Sequence, residues 1–356
     1  MERKLASIKV IRDIQPIEQA DQIELALVDG WHSVVKKGQF QIGDKVIFCE
    51  PDSILPEQPD FEFLRSKHFK IKTCKLRGVT SQGICFPMSI LVADWVNWNV
   101  VDKTKLPSHI NDFPNGLDVS HILGVTKYES PIPTQLRGRI RGPTNRLAVP
   151  KTDEMRVQNI PGVLERHKGA KFHINEKIDG TSMSIYLDPE TGLHVCSRNL
   201  DLAPDHDHKY NGTAYWRYAI EHNLEDVLKS LGKTIALQGE LFGEGIQKNK
   251  YGLKGLHYRV FNFWDMVNHK YLEYNVMKDA VETFGLGKDF LVPDLGELVL
   301  NHSVDDLLHL ATGKSVLSDT LREGLVFRSI PESTDWELGR LSFKAVSPEF
   351  LLKWGE

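Results

Sequence analysis

The chain has 356 residues, 41% hydrophobic and 26% charged, a composition with room for two domains that excludes a disordered or fibrous protein. Lys and Arg number 44 against 48 Asp and Glu, so the formal net charge of −4 excludes a uniformly basic nucleic-acid coat but leaves room for a local basic face. No apolar run approaches the roughly 18–20 residues that span a bilayer. The N-terminus MERKLASIKV lacks a signal-peptide core, and Cys49, Cys74, Cys85 and Cys196 never approach C-x-x-C spacing. The expectation is a soluble intracellular protein, cytoplasmic or nuclear, with no membrane association, zinc ribbon or disulfide framework.

Short runs rich in β-branched residues come first. Ala6–Ile14, Ile23–Leu27, Ser33–Val35 and Lys45–Cys49 are separated by turn signals such as Asp29-Gly30 and Gly43-Asp44. This spacing predicts a small five-stranded barrel of the OB type, with a β-sandwich as the alternative. From Arg65 to Ala93 there is no acid, and Lys67, Lys70, Lys72, Lys75 and Arg77 fall inside that stretch with Phe69 interleaved. In KHFKIKTCKLR, Lys70 and Lys72 alternate with Phe69 and Ile71, as on a strand with one wet face. Such a face tracks a phosphate backbone or is simply solvated, and the missing acids favour a polyanion.

Residues 131–150 (PIPTQLRGRIRGPTNRLAVP) carry four prolines, four arginines and no acid, the composition of a linker. Beyond it the pattern is mixed. Ile174–Ile178 and Ser182–Leu187 read as strands around a polar turn, and Ala214–Leu231 has apolar residues at helical spacing. Ile235–Leu237, Arg259–Trp264 and Leu325–Arg328 read as further strands. The expected class is α+β: an OB-type barrel over residues 1–125, a linker over 126–150 and a mixed α/β domain over 151–356.

One segment carries chemistry through its company. Glu176-Lys177-Ile178-Asp179-Gly180-Thr181-Ser182 is followed by Ser197-Arg198-Asn199, then Gln238-Gly239-Glu240-Leu241, then Arg259–Asp265 (RVFNFWD). Glu323–Arg328 (EGLVFR) and Ser342-Phe343-Lys344-Ala345 come last. By contrast, Asp205-His206-Asp207-His208 has metal-ligand spacing but reads as a solvated polar loop. Gly239-x-x-x-Gly243-x-Gly245 lacks the Gly-Lys-Ser/Thr of a phosphate-binding Walker loop.

In this order the six segments resemble motifs I, Ia, III, IIIa, IV and V of the covalent nucleotidyltransferases: RNA ligases, DNA ligases and mRNA capping enzymes. With TDEMRVQN (152–159), GELFGEGIQKNKYG (239–252) and LRGVTSQG (76–83), the chain is similar over nearly its whole length to the nick-sealing RNA ligases first recognised in Deinococcus and Naegleria. The resemblance implies an N-terminal OB domain joined to a nucleotidyltransferase domain. With 12 residues after Lys344, it also implies no C-terminal OB domain, which favours an RNA ligase over a DNA ligase or capping enzyme.

The implied chemistry is nucleophilic catalysis. Lys177 attacks the α-phosphate of ATP and becomes a lysyl-adenylate. A free lysine titrates near 10.4, so it must lose its proton, which a nearby Mg²⁺ or Mn²⁺ promotes by charge repulsion. The resemblance assigns that cation to Asp179, Glu240 and Glu323, largely through water. It also assigns the α-phosphate to Lys344, ATP phosphate to Arg156, and the ribose or the nucleic-acid strand to Arg198. Glu176 falls in the nucleotide-binding set with Glu240 and Glu323. Trp264, or alternatively Phe263, is expected to stack on adenine, with Phe261 in the core. Many relatives have K-x-K in motif V, whereas Ala345 and Val346 follow Lys344 here, so a second phosphate contact comes from elsewhere or is absent.

The expected function is ATP-dependent joining of RNA 3′-OH and 5′-phosphate ends, at nicks in duplex RNA or RNA/DNA hybrids, through an AMP-activated 5′ end. No protein partner is evident, and one active site per chain points to a monomer. The rivals are a capping-type guanylyltransferase, a DNA ligase, and a non-catalytic RNA-binding protein on a ligase fold.

Overall fold

A computed structural model describes residues 3–102, 104, 106–128, 139–204, 213–232 and 234–355. The Asp205–His208 cluster and the middle of the Pro/Arg-containing segment lie outside them. No helix among the described residues is long and apolar enough to cross a membrane.

The N-terminal strands are β1 (Ala6–Pro16), β2 (Ile23–Val28), β3 (Trp31–Lys36), β4 (Lys45–Cys49) and β5 (Ile84–Pro87). They form an antiparallel sheet in the order β3-β2-β1-β4-β5. Its two edges meet where Gln82 N–H donates to His32 O at 2.7 Å and the Ser33 hydroxyl donates to Gly83 O at 3.2 Å. Closure in this order makes the expected OB barrel. Period-two alternation fills it: Trp31, Ser33 and Val35 on β3 are buried, and Trp31, Val28, Phe48 and Ile11 share one core.

The second domain holds two sheets of seven and five strands. They are β6 (Ile140–Pro143), β7 (Met155–Arg156), β8 (Lys171–Lys177), β9 (Thr181–Asp188), β10 (Gly192–Cys196), β11 (Leu200–Leu202) and β12 (Ile235–Gly243). β13 (Leu256–Asp265), β14 (Lys270–Tyr271), β15 (Asp294–Val299), β16 (Gly324–Ile330) and β17 (Ser342–Val346) follow. One sheet runs β6-β11-β10-β9-β12-β13-β14 and the other β7-β17-β16-β8-β15.

Helices cover the outer faces. On the first sheet, α2 (Ala214–Glu221), α3 (Leu224–Leu231) and α4 (Tyr274–Thr283) bury Trp216, Leu228 and Met277 against Ile185, Leu237 and Phe263. On the second, α1 (Pro161–Arg166) and α5 (Val304–Ala311) bury Val163 and Leu307 against Phe172, Phe327 and Phe343. A last helix, α6 (Pro348–Trp354), follows β17. The inner faces of the two sheets are left to each other and to the site.

Two readings change. The helical pattern over 214–231 is two helices, broken where Asn223 takes a left-handed φ of 49°, a conformation that asparagine tolerates better than most side chains. The segment 126–150 is structured at both ends. Thr126–Lys127 pairs with Ser53–Ile54 beside the barrel, and β6 pairs with β11.

The barrel grips the segment leading into the second domain. Gly30 N–H donates to Gln158 O at 3.0 Å, and a Cβ at Gly30 would lie 2.8 Å from Gln158 Cα, so only glycine allows this approach. The Trp31 indole N–H donates to Asn159 Oδ1 at 2.6 Å, and the Asn159 amide donates to Glu50 at 2.7 Å.

Candidate active site

Lys177 ends β8, and the chain then crosses through Ile178–Gly180 into β9 of the other sheet. The crossing needs Gly180, whose Cβ would sit 2.5 Å from Leu241 O and 2.9 Å from Glu240 Cγ. Across the second sheet, Lys177 lies opposite Gly324 and Asn175 opposite Val326, which in turn pairs with Lys344. Because side chains alternate along strands, Asn175, Lys177, Val326, Arg328 and Lys344 share the inner face, and Phe172, Phe327 and Phe343 share the outer. The facing sheet supplies Ser182 and Glu240, which are register partners.

Together they enclose a cavity of about 340 Å³ whose walls include Lys177, Asp179, Arg198, Glu240, Glu323 and Lys344. The sequence-assigned nucleophile, the three carboxylates and two of the cations therefore converge.

Lys177 Nζ is 2.7 Å from Glu323 Oε2. Burial disfavours its ammonium, but Glu323, Glu240 and Asp179 outweigh burial and hold its pKa above the ordinary lysine value. Glu240 is pushed up to about 8, by burial first and then by Glu323 and Asp179, with Lys177 and Lys344 offsetting part of the effect. Lys344 is pushed down to about 7 by burial and by the cations Lys177 and Arg156.

A cluster of carboxylates in which Glu240 holds a proton near neutrality fits a divalent cation. Among the described residues no three His, Cys, Asp or Glu side chains converge closely enough to ligate one ion directly. Hard carboxylate oxygens of this kind suit a divalent cation that keeps part of its water shell, a habit of Mg²⁺.

The aromatic expectation needs correction. Phe261 lines the cavity. Phe263 is 1% exposed in the core of the seven-stranded sheet, and Trp264 donates from its indole to Ala148 O at 3.0 Å with Tyr271 edge-on. The cause is a bulge: β12–β13 pairing steps from Gln238–Asn262 to Gly239–Val260, leaving Phe261 as the extra residue. A bulge re-aims the side chain it adds, so Phe261 leaves the core face that Val260 and Phe263 occupy.

Glu176 also differs. It is 1% exposed, and its carboxylate accepts from the Ser315 hydroxyl and from Val316 N–H at 2.9 Å, so its side chain braces the 315–316 loop while the residue itself lines the cavity beside Lys177. Burial raises its pKa despite those bonds.

Arg156 lies next door to the first cavity. Its guanidinium donates to Asp52 of the barrel at 2.9 Å and lines a second cavity of about 560 Å³ with Arg3, Lys127, Lys151, Arg340 and Lys344. The two cavities share Asp153, Arg198 and Lys344, and Arg198 is ion-paired to Asp153. Arg156 is the register partner of Lys344 across the parallel β7–β17 pair.

The basic N-terminal stretch lines neither cavity. Phe69 and Ile71 are buried and Lys72 exposed, as alternation predicts; Lys70 makes an isolated bridge to Ile54, and Cys74–Leu76 pairs with Val79–Ser81 in a short hairpin. Lys70 sits over the Tyr128 ring at 3.7 Å, and Lys72 donates to Gly355 O at 2.7 Å. Lys67, Lys75 and Arg77 are exposed.

Sequence reasoning passed over Arg328 and Asn175. Arg328 is 7% exposed, donates to Asn175 Oδ1 at 3.1 Å and stands 5.8 Å from the Phe261 ring. Burial pushes its pKa down to about 10. Counting by twos from Gly324 would have placed it on the inner face.

A family model described as RNA ligase matches residues 170–346, and one described as an OB-fold domain matches residues 5–88. Among solved structures, the chain is similar to RNA ligase from Naegleria gruberi as a lysine-to-alanine variant with ATP and Mn, a glutamate-to-alanine variant with AMP and Mn, and the enzyme with PPi. Each is 34% identical with a TM-score of 0.82, and the alignments cover 98% of both chains. No curated protein matches the chain.

Proposed function

The chain belongs to the RNA ligase family and is an ATP-dependent RNA ligase, and on that premise we propose that it seals nicks through a lysyl-AMP intermediate on Lys177. The observation that carries the proposal is the placement of Lys177 between three carboxylates and Lys344 in one cavity. In the first step Lys177 Nζ forms a bond to the α-phosphorus of ATP, and the bond to pyrophosphate breaks. In the second, the 5′-phosphate end takes the AMP and frees Lys177. In the third, a 3′-OH attacks that 5′-phosphorus and AMP leaves. Positioning and charge neutralisation are what such transfers require of a protein.

A bound Mg²⁺ or Mn²⁺ supplies positive charge that offsets the phosphate and lowers the lysine pKa. Asp179, Glu240 and Glu323 would hold it through water. Without such charge, Glu323 keeps Lys177 protonated and unreactive. Lys344 is assigned to the α-phosphate, and its register partner Arg156 is the second cation that motif V lacks. Arg156, with Arg3 and Lys127, suits the departing pyrophosphate, since arginine forks match phosphate oxygens. Arg198 is assigned to the ribose or the RNA strand and Phe261 to the adenine face.

We assign residues 1–125 to the OB domain and 151–356 to the nucleotidyltransferase domain, with 126–150 between them, and a monomer as the working unit. The polynucleotide is a nicked RNA duplex or RNA/DNA hybrid with RNA at the 3′-OH side. The test is a set of nicked duplexes differing only in the sugar at the 3′-OH end. Sealing is expected with ribonucleotides there and not with an all-DNA nick, and equal sealing of both would make the enzyme a general polynucleotide ligase.

A further inference from the structure

Behind the cavity, a buried cation is committed to one of its carboxylates. We propose that Lys250 is a positioning residue for adenylation, anchoring Asp179 in the orientation that serves the divalent cation, a role that presupposes the lysyl-AMP reading above. The Lys250 side chain is 4% exposed, with Nζ 3.0 Å from Asp179 Oδ2, itself on a carboxylate only 11% exposed. The ammonium also faces the rings of Phe350 at 4.9 Å and Trp354 at 5.9 Å on α6. A buried ammonium is costly unless it is paired, so this arrangement locks both partners. The next residue acts on the same turn: the Tyr251 hydroxyl accepts Asp179 N–H at 2.8 Å.

The backbone that delivers these two residues is held in an unusual shape. Gln247, Lys248 and Asn249 have φ of 43°, 62° and 47°, three successive side-chain-bearing residues in the left-handed region, which such residues rarely adopt even singly. Asn249 secures the turn, its amide donating to Leu253 O at 2.7 Å and its oxygen accepting Leu253 N–H at 3.1 Å. Strain of this kind persists only where the surroundings over-determine it, and it clusters at functional sites. Within five residues the turn puts Gln247 on the cavity wall and Lys250 and Tyr251 on the Asp179 turn.

Without Lys250, the Asp179 carboxylate is still drawn toward Lys177, two positions earlier. Asp179 would then compete with Glu323 for the nucleophile's ammonium and be lost to the cation. Outer partners that orient ligand groups are typically worth about 10–100-fold in metal affinity or activity.

The test uses the full chain with Mn²⁺ and an ATP analogue carrying a methylene bridge between the α- and β-phosphorus, with free Mn²⁺ read by electron paramagnetic resonance. Lys250→Met should weaken Mn²⁺ binding about 10-fold or more and slow label transfer from ATP comparably, and Lys250→Arg should recover most of both. Asp179→Asn should bind Mn²⁺ about as weakly as Lys250→Met, and adding Lys250→Met to it should change nothing further. That double variant leaves no charge buried alone, so the comparison stands even if Lys250→Met does not fold. Mn²⁺ affinity of Lys250→Met within about two-fold of wild type, or a further loss in the double variant, would overturn the proposal. Failure of the wild-type chain to take label from ATP would instead sink the lysyl-AMP reading.

Discussion

Glu240 ties the charge balance of the site to pH. Its folded-state pKa is raised to about 8 from an ordinary 4.5, so between those values the folded chain holds a proton that the unfolded chain has lost. That contribution to stability is present below about 4.5 and is lost as pH rises through about 8. A divalent cation does the proton's work of quenching the crowded carboxylates, so cation binding releases protons and strengthens with pH. The gain in melting temperature on adding Mn²⁺ should therefore be small at pH 6, grow to pH 8.5, and flatten in Glu240→Gln. A pH-independent gain would contradict this balance. Lys344 is pushed down to about 7 by burial and then by its cationic neighbours, and its replacement by Met should slow label transfer on the order of 10²-fold, as expected for loss of a group aimed at developing phosphate charge.

At the scale of single elements, the bulge in β13 decides which ring lines the cavity. Phe261→Ala should raise the ATP concentration needed for half-maximal labelling about 10-fold, the worth of one base-stacking contact. Trp264→Phe should leave it nearly unchanged, because that ring packs on Tyr271 and residue 148. The reverse result would restore the expectation from sequence. Motif position alone could not choose between these rings, because a bulge is a property of two paired strands and the pairing lies 20 or so residues away in the chain. Alternation along one strand, in contrast, was readable: Lys45–Cys49 is a strand with the expected ends, and Lys177, Glu240, Glu323 and Lys344 converge as their motifs implied. The bracing role of the Glu176 carboxylate was hidden for the same reason as the bulge at Phe261. What it binds, the 315–316 loop, comes from a distant segment. The break at Asn223 was invisible because apolar spacing continues across it.

In the molecule as a whole, the barrel holds the entrance to the second domain. Its strand turns and Asp52 hold the 156–159 segment, and with it Arg156, at the second cavity. Its basic stretch faces elsewhere. Asp52→Ala should therefore lower label transfer, whereas replacing exposed Lys67, Lys75 and Arg77 with Ala should spare it within about two-fold while weakening nick binding and reducing its salt dependence. If the triple variant binds nicks as tightly as wild type at every salt concentration, that stretch is only a solvated face.

The most direct measurement is transfer of label from α-labelled ATP to the purified chain with Mn²⁺, followed by denaturation. Label on the wild-type chain and none on Lys177→Ala is the expected result, with α-labelled GTP giving none. Label persisting on Lys177→Ala would place the nucleophile elsewhere, GMP transfer would move the chain toward capping chemistry, and no label from either nucleotide would leave a binding protein on a ligase fold.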